Sequence, residues 1–127
     1  MARVLVDSNI LIAVLRRHEE VISALTKLSE DAVPICSALS IYEVEQGARP
    51  DEIDSTRRFL EAFDVAPVNH AVAQKAAELV RASKRSIRQI DPIDFLIAAT
   101  CLVHRYELLT LNRKDFQFPD LQLHPAL

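Results

Sequence analysis

Several oxygen-bearing side chains stand where the sequence around them is apolar. Asp7 interrupts VLVDSNILIAVL at 4–15, and Asp94 is the one charge in IDFLIAATCLV at 93–103. Glu43 and Glu45 fall in SALSIYEVEQG at 37–47, and Asn112 and Asp115 close LLTLNRKDF at 108–116. A carboxylate buried without a partner costs several kcal/mol, so each needs backbone donors, a cation or a metal. Three or four carboxyl or amide oxygens meeting at one point, with no Cys or His among them, select a hard cation. Mg2+ or Mn2+ suits such a set, with water filling the remaining octahedral positions.

Each position also has a plainer reading. Asp7 and Asp91 suit the N-cap of a helix, Pro92 suits the first turn after Asp91, and Ser40 with Glu43 fits a capping box. Asp94 is harder to explain this way, because a cap at Asp91 leaves a second acid one turn into an apolar helix. Glu43 and Glu45 are two apart and point to nearly opposite sides of a helix, so at most one faces a shared site. Periodicity does not choose between them.

The elements that would hold these residues read as short strands alternating with helices. Residues 3–7 form a strand buried on both faces, and a helix runs from Ser8 to about Arg16. A second helix continues through Ser29, followed by a strand over 33–36. Residues 37–46 are helical, ended by Gly47 and Pro50. Asp51 opens a helix to about Phe63, and 65–68 is extended. Asn69 caps a helix from His70 to about Arg85, and 86–90 is a loop. Asp91-Pro92 begins a helix to about Tyr106. A strand at 108–110, a loop at 112–119 and a short strand at 121–123 complete the chain. This is an α/β pattern: a compact three-layer domain with a central, mainly parallel twisted sheet. In a parallel sheet the strand ends share one edge, where helix N-termini add positive potential. That brings Asp7, Glu43, Asp94 and Asn112 or Asp115 to the same side of the molecule.

Composition narrows the function. The 127 residues suit one domain, 1–127, and half of them are apolar, enough for a genuine core. No apolar run approaches the ~18–20 residues of a membrane-spanning helix. The start MARVLVDSN lacks a signal-peptide cleavage site. Cys36 and Cys101 read as buried free thiols, so the expected location is cytoplasmic. The net charge of −3 argues against holding nucleic acid by bulk electrostatics, but is compatible with an acidic nuclease site. Gly47 is the sole glycine, which rules out a glycine-rich phosphate loop. Arg81, Lys84, Arg85 and Arg88 recur every three or four residues, as a helical stripe able to follow phosphates. Arg16, Arg17 and His18 form a weaker stripe of the same kind. His70, His104 and His124 show no metal-ligand spacing. A receiver domain needs paired acids after its first strand, and a haloacid-dehalogenase-type phosphatase needs D-x-D where this chain has Asn9.

The ordered set VDSN at 6–9, Ser40 with EVEQG at 43–47, PIDFLIAAT at 92–100 and TLNRKDF at 110–116 resembles the PIN domain family. The closest likeness is to the VapC-type toxins of bacterial and archaeal toxin–antitoxin pairs, over essentially the whole chain. The resemblance implies a Mg2+- or Mn2+-dependent endoribonuclease that cuts RNA, is inhibited by a cognate antitoxin and forms homodimers. Residue by residue, Asp7 matches the first acid, Glu43 the second and Asp94 the third, with Glu43 favoured by its spacing to Gly47. The fourth acidic position falls on Asn112, with Asp115 three residues on, a departure that removes one charge. Thr110 matches a hydroxyl near the metal, and Ser8 and Asn9 support the first motif. Asp7 and Asp94 are then the direct metal ligands, Glu43 a ligand or water-orienting base, and Asn112 or Asp115 the holder of an outer-sphere water. The uncharged Asn112 also sustains a second reading, a catalytically weak PIN-like module that binds RNA or protein.

Overall fold

A computed structural model describes residues 2–127. Its strands are β1 (Ala2–Val6), β2 (Ala32–Ser37), β3 (Asp64–Ala66) and β4 (Glu107–Leu109). They form a four-stranded sheet in the order β3-β2-β1-β4, with every neighbouring pair parallel. Helices α1 (Ser8–Leu15) and α2 (Glu19–Asp31) connect β1 to β2. Helices α3 (Ala38–Gln46) and α4 (Ile53–Leu60) connect β2 to β3, and α5 (His70–Ala82) and α6 (Pro92–His104) connect β3 to β4.

The chain steps outward from β1 to β3 and then returns to the other side of β1 for β4. Right-handed crossovers in opposite directions place their helices on opposite faces of the sheet. The core divides accordingly. Val4 and Val6 of β1 pack with Ile10, Leu11, Leu25, Val44 and Leu60 of α1–α4. Leu5, one residue out of phase, packs with Ile35, Leu108 and the α6 residues Ile97, Ala98 and Cys101. That period of two explains why β1 is apolar without alternation: both of its faces are inside. Leu5 has no exposed surface. Leu5→Ala should therefore cost about 3 kcal/mol, read as a lower urea midpoint with an unchanged m-value.

Several boundaries differ from the sequence reading. The helix expected from Asp51 to Phe63 starts as a 3-10 turn over Pro50–Glu52 and ends as α4 at Leu60. The helix expected to reach Tyr106 stops at His104, because Arg105 turns left-handed (φ 60°). The expected last strand is reduced to one bridge, Leu108 to Leu123, and the expected loop at 112–119 contains a 3-10 turn over Arg113–Phe116.

The largest departure concerns the basic stripe. Helix α5 ends at Ala82, and Ser83 is extended (φ −72°, ψ 144°). The Ser83 hydroxyl accepts a hydrogen bond from the Arg85 N–H at 3.0 Å, a local alternative that competes with another helical turn. Only Arg81 therefore lies on the helix. Lys84 and Arg85 sit in the connection, and Arg88 lies in a 3-10 turn over Ile87–Gln89. The four do not share a helical face.

Candidate active site

The sheet reverses its winding between β1 and β4, and the carboxyl ends of two such strands frame a crevice where α/β sheets place their ligands. Asp7 stands immediately after β1 and Thr110 immediately after β4. The Asp7 N–H continues the ladder by donating to the Leu109 carbonyl at 2.9 Å. Asp7 is 6% exposed. One carboxylate oxygen accepts from the Ser8 N–H at 2.8 Å, and the other accepts from the Thr110 hydroxyl at 2.8 Å. The capping reading of Asp7 thus holds for one oxygen only.

Thr110 is itself tied down. Its oxygen accepts from the Asn9 amide at 3.3 Å and from the Asn112 N–H at 3.0 Å, while the Asn9 carbonyl oxygen accepts from the Leu111 N–H at 3.2 Å. Asn9 and Thr110 together join the first turn of α1 to the segment after β4 and fix the hydroxyl that Asp7 receives.

Ser8 points to α3. Its hydroxyl lies 2.8 Å from the Ser40 hydroxyl and 2.5 Å from a Glu43 carboxylate oxygen. A hydroxyl has one proton, so Ser8 gives it to the carboxylate and accepts the proton of Ser40. The capping box expected from Ser40 and Glu43 is not formed. Ser37 is the cap, its hydroxyl accepting from the Leu39 N–H at 3.1 Å, and Ser40 and Glu43 are left to meet Ser8. Glu45 faces the other way, in an ion pair with Arg57 at 2.8 Å.

Asp94 lies in the first turn of α6, and Asp91 caps that helix by accepting from the Ile93 N–H at 3.0 Å. Burial pushes the Asp94 carboxyl up to about 7, reinforced by the charges of Asp91, Asp7, Asp115 and Glu43. Asp7 is also raised. Burial is the main cause, the Thr110 hydroxyl and Ser8 N–H oppose it, and Glu43 and Asp91 add to it. Asp7, Glu43, Asp91, Asp94 and Asp115 therefore share one electrostatic neighbourhood. None of them takes part in the ion pairs found among the described residues.

Asp115 belongs to this group, whereas Asn112 is exposed and contributes its backbone N–H to Thr110. Two participants escape the sequence reading. The sequence offers Asp91 as a cap alone, although the D-P-I-D spacing puts two acids on one helical turn. It offers Ser40 as part of a cap, and only the approach of α1 to α3 shows its contact with Ser8.

Every donor in the set is a hard oxygen. As placed, no group of three His, Cys, Asp or Glu side chains among the described residues has the spacing to hold a metal ion. What fits a divalent cation is the donor chemistry and the uncompensated negative charge, not a closed cage. Neither thiol pairs with a group of the site, although the charge of Asp7 reaches Cys101. Both are buried and unpaired, burial pushing the Cys36 thiol up to about 11 and raising Cys101 as well.

Comparison with known proteins agrees with this arrangement. The PIN domain family matches residues 4–120, and the chain belongs to that family. Its likeness runs to the VapC type. Ribonuclease VapC10 of Mycobacterium tuberculosis is 36% identical over 109 residues, covering 86% of this chain and 82% of that protein. Ribonuclease VapC19 of the same organism is 34% identical over 120 residues, covering 93% of this chain and 96% of that protein. Among solved structures, a toxin–antitoxin complex from Klebsiella pneumoniae superposes with a TM-score of 0.81 at 28% identity, covering 96% of this chain and 97% of that one. VapBC-1 from nontypeable Haemophilus influenzae, with a TM-score of 0.78 at 21% identity over 99% and 98% of the two chains, shares the fold.

Proposed function

We propose that this chain is a divalent-metal-dependent endoribonuclease, the toxin of a toxin–antitoxin pair. The observation that carries the reading is the buried Asp7 at the β1–β4 crevice, surrounded by acids that no protein cation neutralises. The ribonuclease relatives support RNA as the substrate, and the toxin–antitoxin complex among the structural neighbours supports a cognate antitoxin as partner. The protein works in the cytoplasm, as a homodimer. No helix among the described residues is long and apolar enough to cross a membrane.

Asp7, Asp94 and Glu43 would hold Mg2+ or Mn2+. Bound there, the cation would lower the pKa of a water and offset charge developing on the phosphate. The protein's own part is positioning. Thr110 and the Ser8 N–H fix the two oxygens of Asp7, so that its lone pairs face the crevice in one orientation. Ser8 fixes Glu43 from the side, leaving its second oxygen to orient a water or join the ligand set. Asp115 and Asn112 border the crevice beyond β4 and would order outer-sphere water. No side chain here serves as a covalent nucleophile.

The test is cleavage of structured RNAs by the purified chain, freed of any copurified partner, in Mg2+, in Mn2+ and in EDTA. Cutting that appears with either cation and stops in EDTA is the expected result. Metal-independent cutting, or Mn2+ binding with no cutting of any RNA offered, would sink the reading, and the latter would favour the binding module.

A further inference from the structure

Helix α5, helix α6 and the segment after Phe116 enclose a groove of about 680 Å³. Lys75, Lys84 and Arg85 line it against a single acid, Asp120. Lys75 pairs with Glu78 at 3.5 Å, so Lys84 and Arg85 remain against Asp120, a local excess of positive charge in a chain of net charge −3. The floor is aromatic. The Arg85 guanidinium carbon lies 5.6 Å from the Phe95 ring centre and 5.9 Å from that of Phe118. The two rings meet edge to face at 5.0 Å. Stacked on this corner, Arg85 keeps its planar fork oriented, and no carboxylate among the described residues pairs with it or with Lys84. A guanidinium fixed by aromatics, with its N–H groups unspent, is suited to a phosphate and presents a flat face on which a base stacks.

Two amides complete the lining. The Gln89 side-chain oxygen accepts from the Ser86 N–H, and the Gln117 amide nitrogen donates to the Arg113 carbonyl. One therefore retains its N–H donors and the other its oxygen acceptor, the pair of functions that reads an unpaired base edge.

Two segments of the chain contribute to both the groove and the acidic crevice. Phe95 directly follows Asp94 on α6, and Gln117 and Phe118 follow Asp115 two and three residues on. In both segments the acid belongs to the crevice and its neighbours to the groove. We infer that the groove holds single-stranded RNA beside the phosphate to be cut, with Arg85 and Lys84 on phosphates and an unpaired base against the Arg85 face. The inference rests on the ribonuclease reading and names the subsite through which that site takes its substrate.

The test is fluorescence anisotropy with a labelled short single-stranded RNA, in EDTA so that nothing is cut, over a salt series. The proteins compared are the wild type, Arg85→Gln and the double variant Lys75→Ala/Lys84→Ala. Both variants should bind about ten-fold more weakly, and the log–log salt slope should fall by about 0.7 for each phosphate deprived of its cation. In the cleavage assay KM should rise by a similar factor. Arg85→Gln removes packing on Phe95 and Phe118, so the lysine double variant, which touches neither ring contact, decides if that variant melts early. Unchanged affinity and slope in the lysine double variant would overturn the inference, as would a wild type with no affinity for single-stranded RNA. A wild type that cuts RNA while the variants bind it normally sinks the groove alone. One that binds through the groove and cuts nothing in metal sinks the ribonuclease reading.

Discussion

Asp94→Asn should make the metal-free protein more stable, although it removes a central residue of the site. Burial and four neighbouring carboxylates raise the Asp94 carboxyl to about 7, against 3.8 for the ordinary group. The folded state therefore holds this proton more tightly than the unfolded chain does. Stability from that proton is complete below pH ~4 and is lost as pH rises through ~7. At pH 8 the wild type bears the whole penalty, with a ceiling of about 4 kcal/mol, and partial exposure and relaxation reduce this to about 2 kcal/mol. Asparagine has the same shape and no charge. Its melting temperature in EDTA should exceed that of the wild type by roughly 5–10 °C at pH 8, and the gap should close towards pH 4.

Added Mn2+ should reverse the order. A cation that binds only the folded state stabilises by mass action, and the charge that strains the metal-free wild type is what attracts it. Millimolar Mn2+ should raise the wild-type melting temperature and barely move Asp94→Asn. A variant that melts below the wild type at pH 8 in EDTA would mean that the acids do not repel one another as placed. Equal metal shifts in the two proteins would take Asp94 out of the ligand set.

What the sequence discloses about this site follows the range of the interactions involved. The strand-to-helix junction at Asp7 and the D-P-I-D start of α6 are local, set by apolar runs and capping chemistry, and are legible directly. So is the fold class, since short buried strands alternating with helices leave few other arrangements. The choice of Glu43 over Glu45 is not legible from periodicity. It is made by Ser8, 35 residues earlier, and by Arg57, 12 residues later, which draw the two acids to opposite sides. The basic stripe fails for a local reason that periodicity ignores. One serine, Ser83, offers the backbone another partner, and the spacing of Arg81, Lys84, Arg85 and Arg88 then has no helix to act through. The value of Thr110 depends on strand order: only because β4 pairs with β1 does its hydroxyl reach Asp7, 103 residues away. Spacing along a chain cannot state which strands are neighbours.

Asp7→Asn should abolish cleavage, by at least about a thousand-fold, because a loss of some 4 kcal/mol from the reaction barrier corresponds to that factor. A buried anion at the centre of the crevice is the least replaceable oxygen source there. The substitution also disturbs the network in a way that Asp94→Asn does not. Asp7 accepts from the Ser8 N–H with one oxygen and from the Thr110 hydroxyl with the other. An amide has one acceptor end. If it faces Ser8, its NH2 points at a Thr110 oxygen that already accepts from Asn9 and Asn112. If it faces Thr110, the NH2 meets the Ser8 N–H. Either orientation sets a donor against a donor and costs about 1–3 kcal/mol, offsetting the relief from an unburied charge. Asp7→Asn should therefore fold but melt below Asp94→Asn in EDTA. Thr110→Val should also cost about 1 kcal/mol less in the Asp7→Asn background than in the wild type, since the bond it removes is already broken. Cleavage by Asp7→Asn within ten-fold of the wild type would exclude Asp7 from the reaction. Additive effects of the Asp7 and Thr110 substitutions would show that the hydroxyl does not hold the carboxylate.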